Sequence, residues 1–123
     1  MWYSQLGQDQ VVTTLIGNVK NGVFVDIGAY DCEVWSNSCH FEKEKSWWGV
    51  AIEIDPTHEE YWKINRPRTY YYTADALKID YEKLFNENNL PNIIDYLSID
   101  IEPPKANFEV LKKVMCTGCV FKV

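Results

Sequence analysis

Runs of β-branched and aromatic residues alternate along this chain with segments of helical periodicity, and most of these runs end in a carboxylate. The runs cover residues 23–28, 49–55, 69–73, 93–102 and 119–123. Such runs are typical of strands buried on both faces, and helices between them form the crossovers of a parallel sheet. The pattern therefore predicts an α/β fold: a Rossmann-like parallel sheet of about five strands with helices on both faces.

Helices are predicted from apolar spacing, capping residues and turn residues. Between the strands they cover residues 36–45, 55–65, 80–85 and 103–115. The last helix is expected to present an apolar face of Phe108, Leu111, Val114 and Met115. An N-terminal helix, stopped at Asn21–Gly22, has its apolar residues at Val11, Val12, Leu15, Ile16 and Val19. The chain is predicted to be one domain, with a helical segment at 1–21 and a nucleotide-binding core at 22–123.

Composition narrows the function classes. The 123 residues carry a net charge of −6, whereas nucleic-acid binding through phosphates needs clustered Lys and Arg, so a nucleic-acid partner is not expected. No apolar stretch approaches a membrane span and no signal peptide is recognisable, so we expect a cytoplasmic protein with no membrane partner. The four cysteines are Cys32, Cys39, Cys116 and Cys119. Their spacing favours free thiols over a zinc or redox site.

Carboxylates recur where the predicted strands end. Parallel sheets of this kind bind ligands at the carboxyl ends of their strands, near the point where the strand order reverses. Since burying an unpaired carboxylate is costly, acids at one edge of a sheet call for a functional role or for solvation at that edge. The acids at or just past strand ends are Asp26, Glu53, Asp55, Asp75, Asp100 and Glu102.

The loop after the first strand discriminates among nucleotide cofactors. A dinucleotide site uses three glycines and a phosphate loop uses a Lys and a Ser or Thr, but this loop has only Gly28. Carboxylates around one glycine suit a cationic sulfonium and an α-amino group, which predicts S-adenosylmethionine. Glu53, 25 residues beyond Gly28, is expected to accept the ribose hydroxyls. Asp75 is either an acceptor for the adenine amino group or a turn cap.

The sequence resembles the FkbM family of S-adenosylmethionine-dependent methyltransferases, which has the class I methyltransferase fold. The resemblance covers nearly the whole chain and rests on residues 3–9, 24–31, 36–43, 48–53, 96–102 and 108–112. It implies transfer of a methyl group to an acceptor hydroxyl on a sugar or another metabolite, so that the partner is a small-molecule or glycan acceptor.

The resemblance also implies roles for individual residues. Asp26 and Gly28 would shape the methionine end of the pocket, Glu53 would hold the ribose and Asp75 would face the adenine. Gln5, Gln8, Ser36 and Asn37 would close over the cofactor, although Gln8 and Ser36 are equally suited to capping the first and second helices. The remaining expected cofactor contacts are their neighbours Ala29, Ile54 and Ala76.

Catalysis is assigned to the end of the fourth predicted strand. Asp100 or Glu102 is the expected base, or the pair forms half of a site for a divalent cation such as Mg²⁺. The histidines His40 and His58 are expected to be solvated.

The chain departs from the family pattern at Asp31–Cys32, where Asp-Gly is usual, and at residues 103–105, where Gly-Ala-Glu is usual. It ends before the last strands of a seven-stranded fold, which predicts a truncated sheet with an apolar edge. We expect either self-association through Val120 and Phe121 at this edge or marginal stability. Three interpretations stay open: an active methyltransferase, a cofactor-binding but inactive remnant or fragment, and a nicotinamide-dependent oxidoreductase.

Overall fold

Strands and helices alternate along residues 1–123 of the computed structural model, all of which it describes. The strands are β1 (Val23–Ile27), β2 (Trp48–Glu53), β3 (Thr69–Thr73), β4 (Ile93–Ile94), β5 (Tyr96–Ile99) and β6 (Val120–Phe121). The helices are α1 (Gln8–Ile16), α2 (Cys39–Lys45), α3 (Glu59–Asn65), α4 (Tyr81–Glu87) and α5 (Ala106–Met115). Two short 3-10 helices occupy Pro56–His58 and Ala76–Lys78.

The main sheet has four parallel strands in the order β3-β2-β1-β5. From β1 the chain moves outward through β2 and β3, then returns to place β5 on the other side of β1. The strand order therefore reverses between β1 and β5, which is where an open parallel sheet leaves a crevice for a ligand. This architecture confirms the predicted α/β, Rossmann-like fold.

Side chains of β1 alternate between the two faces of the sheet. Val25 and Ile27 belong to a buried cluster that includes Phe85 of α4 and Val110 of α5. Phe24 belongs to a second cluster with residues of α1 and α2. Helices thus cover both faces. Asp26 follows the period of Phe24, so it lies on the face covered by α1 and α2.

The sheet has four strands, whereas about five were predicted. The predicted run 93–102 is interrupted at Asp95, whose carboxylate accepts a 2.8 Å hydrogen bond from the amide of Val23 and forms an ion pair with Lys122. As a result β4 pairs with β6 in a separate two-stranded sheet, while β5 pairs with β1. A buried side-chain contact to a distant part of the chain therefore divides the run.

Two predicted helices have different ends from those expected. α1 stops at Ile16, ahead of Asn21–Gly22, because Gly17 has φ +76° and ends the helical hydrogen bonding. Val11 and Leu15, predicted to be apolar contacts, are exposed.

The buried face of α5 also differs from the prediction. It consists of Ala106, Val110 and Val114, spaced by four residues, whereas Phe108 is 69% exposed and Met115 is also exposed. The helix begins at Ala106 because the preceding proline residues form a turn, in which the carbonyl of Pro103 accepts from the amide of Ala106 at 2.9 Å. None of the helices is long and apolar enough to cross a membrane.

Candidate cofactor cleft

A cleft of about 370 Å³ lies at the carboxyl ends of the four parallel strands. The first residues after β1, β2, β3 and β5 all line it, namely Gly28, Ile54, Ala74 and Asp100. The structure brings together every residue predicted for the site except Gln8 and Ser36. The predicted residues that line the cleft are Gln5, Asp26, Gly28, Ala29, Asn37, Glu53, Ile54, Asp75, Ala76, Asp100 and Glu102.

Gly28 lines the cleft at a point where backbone segments approach closely. Its φ is +76°, and a Cβ at this position would lie 2.0 Å from the carbonyl oxygen of Asp100. Its amide donates to the carbonyl of Ile52 at 2.8 Å, and the amide of Asp100 donates to Ile27 at 2.9 Å. The ends of β1, β2 and β5 therefore converge on a position that only glycine fits.

Glu53 is held by backbone amides from two different loops. Its Oε1 accepts from the amide of Tyr30 at 3.1 Å and its Oε2 accepts from the amide of Asp55 at 2.8 Å. The residue is 8% exposed. A carboxylate has about four acceptor positions, so these two bonds fix its orientation and leave positions free toward the cleft.

Asp26 is the most deeply buried acid of the cleft, with 2% of its surface exposed. Its Oδ2 accepts a 2.6 Å hydrogen bond from the hydroxyl of Ser38. Burial is the main cause that raises the pKa of Asp26 to about 6, and the charges of Asp100 and Glu53 add to it. The Ser38 hydrogen bond and the Arg66 charge oppose this rise.

Asp75 and Asp55 both cap short 3-10 helices. Oδ1 of Asp75 accepts from the amide of Leu77 at 3.0 Å, and Oδ1 of Asp55 accepts from the amide of Thr57 at 3.0 Å. The bond from Thr57 lowers the pKa of Asp55. Asp75 still lines the cleft, so capping and a ligand contact are compatible there. Asp55 does not line it, although the sequence grouped it with the other strand-end acids.

Gln8 and Ser36 are not among the residues that line the cleft. Gln8 accepts from the amide of Leu6 at 3.0 Å, which is a local turn contact on the surface. Ser36 is 1% exposed and accepts from the amide of Cys39 at the start of α2. The hydroxyl of Ser36 also accepts from Arg66 at 3.3 Å, and the N-cap position of α2 is Ser38 rather than Ser36.

Gln5 and Asn37 supply amide side chains to the cleft. Nδ2 of Asn37 donates to the hydroxyl of Ser98 at 3.0 Å. A backbone bridge between Ser4 and Trp35 holds the N-terminal segment beside the loop that follows β1.

Two aromatic residues of the cleft were not predicted from the sequence. Tyr30 and Trp35 line the cleft, are 53% and 58% exposed, and have positive φ values of 54° and 60°. Large side chains seldom adopt this conformation, and such residues cluster at functional sites. The signal in the sequence that could have identified them is the presence of two aromatic residues in a loop without helical or strand periodicity.

Asp100 and Glu102 lie together at the rim of the cleft, and both are solvent-exposed. Neither side chain accepts a hydrogen bond from the rest of the chain. No group of three or more His, Cys, Asp or Glu side chains could hold a metal ion. Asp100 and Glu102 supply only two carboxylates, so the site for a divalent cation such as Mg²⁺ stays a prediction.

The histidines and cysteines lie mainly in the interior. His40 is 5% exposed and its Nδ1 lies 2.7 Å from the carbonyl of Met1; His58 is half-buried and packs on Tyr30 at 4.5 Å between ring centroids. The prediction that both are solvated was wrong. All four cysteines are free, and of these only Cys116 is exposed.

Every charged side chain that lines the cleft is an acid. The five are Asp26, Glu53, Asp75, Asp100 and Glu102, with no Lys, Arg or His among the lining residues. Low-dielectric walls strengthen the field of such a set, so the cleft favours cations and repels phosphates. Comparison with protein-family models and with curated proteins gives no match.

Proposed function

We propose that this chain binds S-adenosylmethionine in the cleft and transfers its methyl group to an acceptor hydroxyl, as the resemblance to FkbM methyltransferases implies. The observation that carries the proposal is the Glu53 carboxylate, which two backbone amides orient at the end of β2 beside Gly28. A fixed carboxylate next to a close-approach glycine suits the two hydroxyls of an adenosine ribose.

The charges of the cleft favour this cofactor over a dinucleotide. S-adenosylmethionine carries a sulfonium and an α-amino group, and five carboxylates line the cleft. A nicotinamide dinucleotide brings two phosphates, which need amides at a helix N-terminus or cations. Helix α2 begins only at Cys39, well after Gly28, and no lysine or arginine lines the cleft. The nicotinamide alternative is therefore disfavoured.

Each element of the cleft has a role in the proposed reaction. The bound cofactor supplies an electrophilic methyl group. Asp26 lies on the cleft floor for the cationic methionine end, Glu53 orients the ribose, and Asp75 faces the adenine. Asp100 or Glu102 accepts the proton of the acceptor hydroxyl at the rim. Alignment of the methyl group with that oxygen is the main contribution of the protein, since in-line displacement needs little else.

The acceptor is proposed to be a sugar or another small metabolite, and the location cytoplasmic. Exposed Tyr30 and Trp35 offer flat faces at the mouth of the cleft, which suit a pyranose or an aromatic ring. Four free cysteines are compatible with a reducing compartment.

Calorimetric titration with S-adenosylhomocysteine tests the proposal. Glu53→Ala is expected to weaken binding by roughly 10²–10⁴-fold, because two charge-assisted hydrogen bonds, worth roughly 1.5–3 kcal/mol each, are lost. Glu60→Gln is the matched control, since Glu60 is an exposed acid outside the cleft and should bind like the wild type. Absence of binding to the wild type would refute the proposal.

A second candidate is cofactor binding without turnover. The exposed, unpartnered state of Asp100 and Glu102 favours it, because a positioned base is normally oriented by neighbouring groups. Incubation with S-adenosylmethionine labelled on its methyl group, together with a panel of sugars and phenols, separates the two candidates. Transfer of label that is lost in an Asp100→Asn, Glu102→Gln double variant identifies an enzyme; binding without transfer identifies the second candidate.

A further inference from the structure

Arg66 is a buried cation that the sequence did not single out. It follows α3, is 1% exposed, and lies with its guanidinium carbon 4.5 Å from the ring centroid of Trp62 and 5.8 Å from that of Phe24. Its Nε donates to Oε1 of Glu42 at 2.8 Å, so the charge is paired. A fully buried ion pair needs additional hydrogen bonds to offset its desolvation.

The other donors of Arg66 point toward the loop after β1 and toward α2. Nη1 donates to the carbonyl of Cys32 at 2.7 Å, and Nη2 donates to the hydroxyl of Ser38 at 2.9 Å. The Ser38 hydroxyl in turn donates to Asp26 at 2.6 Å. A hydroxyl that accepts from a cation and donates to a carboxylate has a single fixed hydrogen position, which aligns the chain Arg66–Ser38–Asp26.

We propose that Arg66 is a positioning residue of the cofactor cleft, which acts through the Ser38 hydroxyl to hold Asp26 as an oriented anion on the cleft floor. This inference rests on the proposed function for its ligand, but the geometry of the relay Arg66–Ser38–Asp26 stands independently of that function. The planar fork of arginine reaches Glu42, Cys32 and Ser38 together, which a lysine ammonium on the same stem would not do.

The relay matters because Asp26 has unfavourable surroundings. Glu53 on β2 and Asp100 after β5 face it as like charges, and Tyr96 of β5 is the neighbouring phenol. The groups that oppose protonation of Asp26 are Ser38, at the N-cap of α2, and Arg66, which follows α3. Removing the relay therefore favours the neutral acid, which would bind an α-amino cation poorly.

Two variants that each remove a hydroxyl test the relay within the same network. Ser38→Ala removes the hydroxyl next to Asp26 and leaves the Arg66–Glu42 pair intact. Thr69→Val removes a hydroxyl that donates to Glu42. This hydroxyl lies on the Glu42 side of the Arg66–Glu42 pair, away from Asp26. Ser38→Ala loses two hydrogen bonds of this network and Thr69→Val loses one, so the free energy of unfolding of both variants is measured beside the titration.

The first measurement is the titration of the Asp26 carboxyl by carbon-detected nuclear magnetic resonance in the full chain. Ser38→Ala is expected to move the midpoint upward from near 6 by about one pH unit, while Thr69→Val leaves it in place. Arg66→Lys should also move it upward, because the charge remains but the fork is lost. Equal midpoints in Ser38→Ala and Thr69→Val would overturn the relay.

The second measurement is the affinity for S-adenosylhomocysteine between pH 6.5 and 8.5. With the midpoint one unit higher, Ser38→Ala should bind about threefold more weakly than the wild type at pH 6.5 and recover at pH 8.5. A loss that is the same at both pH values would contradict the inference. If the wild type does not bind at any pH, the proposed function fails, while the carboxyl titration still decides whether the relay exists.

Discussion

The approach of Gly28 to the Asp100 carbonyl makes a quantitative prediction about the cleft floor. In Gly28→Ala a Cβ would lie 2.0 Å from the carbonyl oxygen of Asp100 and 2.8 Å from a methyl carbon of Ile101. A positive φ costs an alanine roughly 1–2 kcal/mol, and overpacking against a backbone group costs roughly 1–3 kcal/mol more. The substitution should therefore lower the free energy of unfolding by about 2–5 kcal/mol.

Gly118→Ala separates the two contributions. Gly118 also has a positive φ, of +81°, but a Cβ there would meet no atom within 4 Å. Only the backbone cost of roughly 1–2 kcal/mol is expected. Urea denaturation of both variants gives the steric contribution as a difference, and calorimetry with S-adenosylhomocysteine should show that only Gly28→Ala affects binding. Equal destabilisation of the two variants would refute the convergence of β1 and β5 on Gly28.

Two further predictions concern the buried charge and the open edge. The folded pKa of Asp26, about 6, lies above its ordinary value of 3.8, so the ionised form costs stability that the neutral form does not. The free energy of unfolding of Asp26→Asn should therefore exceed that of the wild type by up to about 3 kcal/mol at pH 8. Below pH 4 no such increase is expected. Urea denaturation at both pH values checks this, and a difference independent of pH would sink it. At the edge, Val120 is 59% exposed and lines an apolar groove with Leu97, Leu111 and Phe121. Val120→Lys should abolish concentration-dependent association in light scattering and Ile64→Lys, on exposed α3 surface, should not; a monodisperse wild-type monomer at every concentration would contradict self-association.

The features that the sequence predicted correctly are those that short-range patterns determine. Residues 23–27 and 48–53 are short, mostly apolar runs rich in β-branched residues, which favours buried strands, and parallel pairing then places Asp26, Glu53 and Asp100 at one edge. Gly28 could be identified as a close-approach position because it directly follows such a run. The location of the cleft follows from the same reasoning.

The features that the sequence did not predict depend on contacts between distant segments. Asp95 interrupts a strand because it binds the amide of Val23, 72 positions away along the chain. In α5, two apolar stripes have helical spacing, and the position of the sheet decides that Val110 is buried and Phe108 is not. Arg66 acquires its role from the loop after β1 and from α2, neither of which is adjacent to it in sequence.

Glu53 and Asp26 show two ways of placing a carboxylate at the end of a buried strand. Glu53 receives two backbone amides, so its charge is compensated within the fold. Asp26 receives one hydroxyl, and burial raises its pKa despite the nearby guanidinium. A carboxylate whose charge is only partly compensated gains more from a ligand cation than one that is already satisfied. The fold therefore uses Glu53 to fix geometry and leaves Asp26 as the position where a bound α-amino or sulfonium group would relieve an existing electrostatic cost.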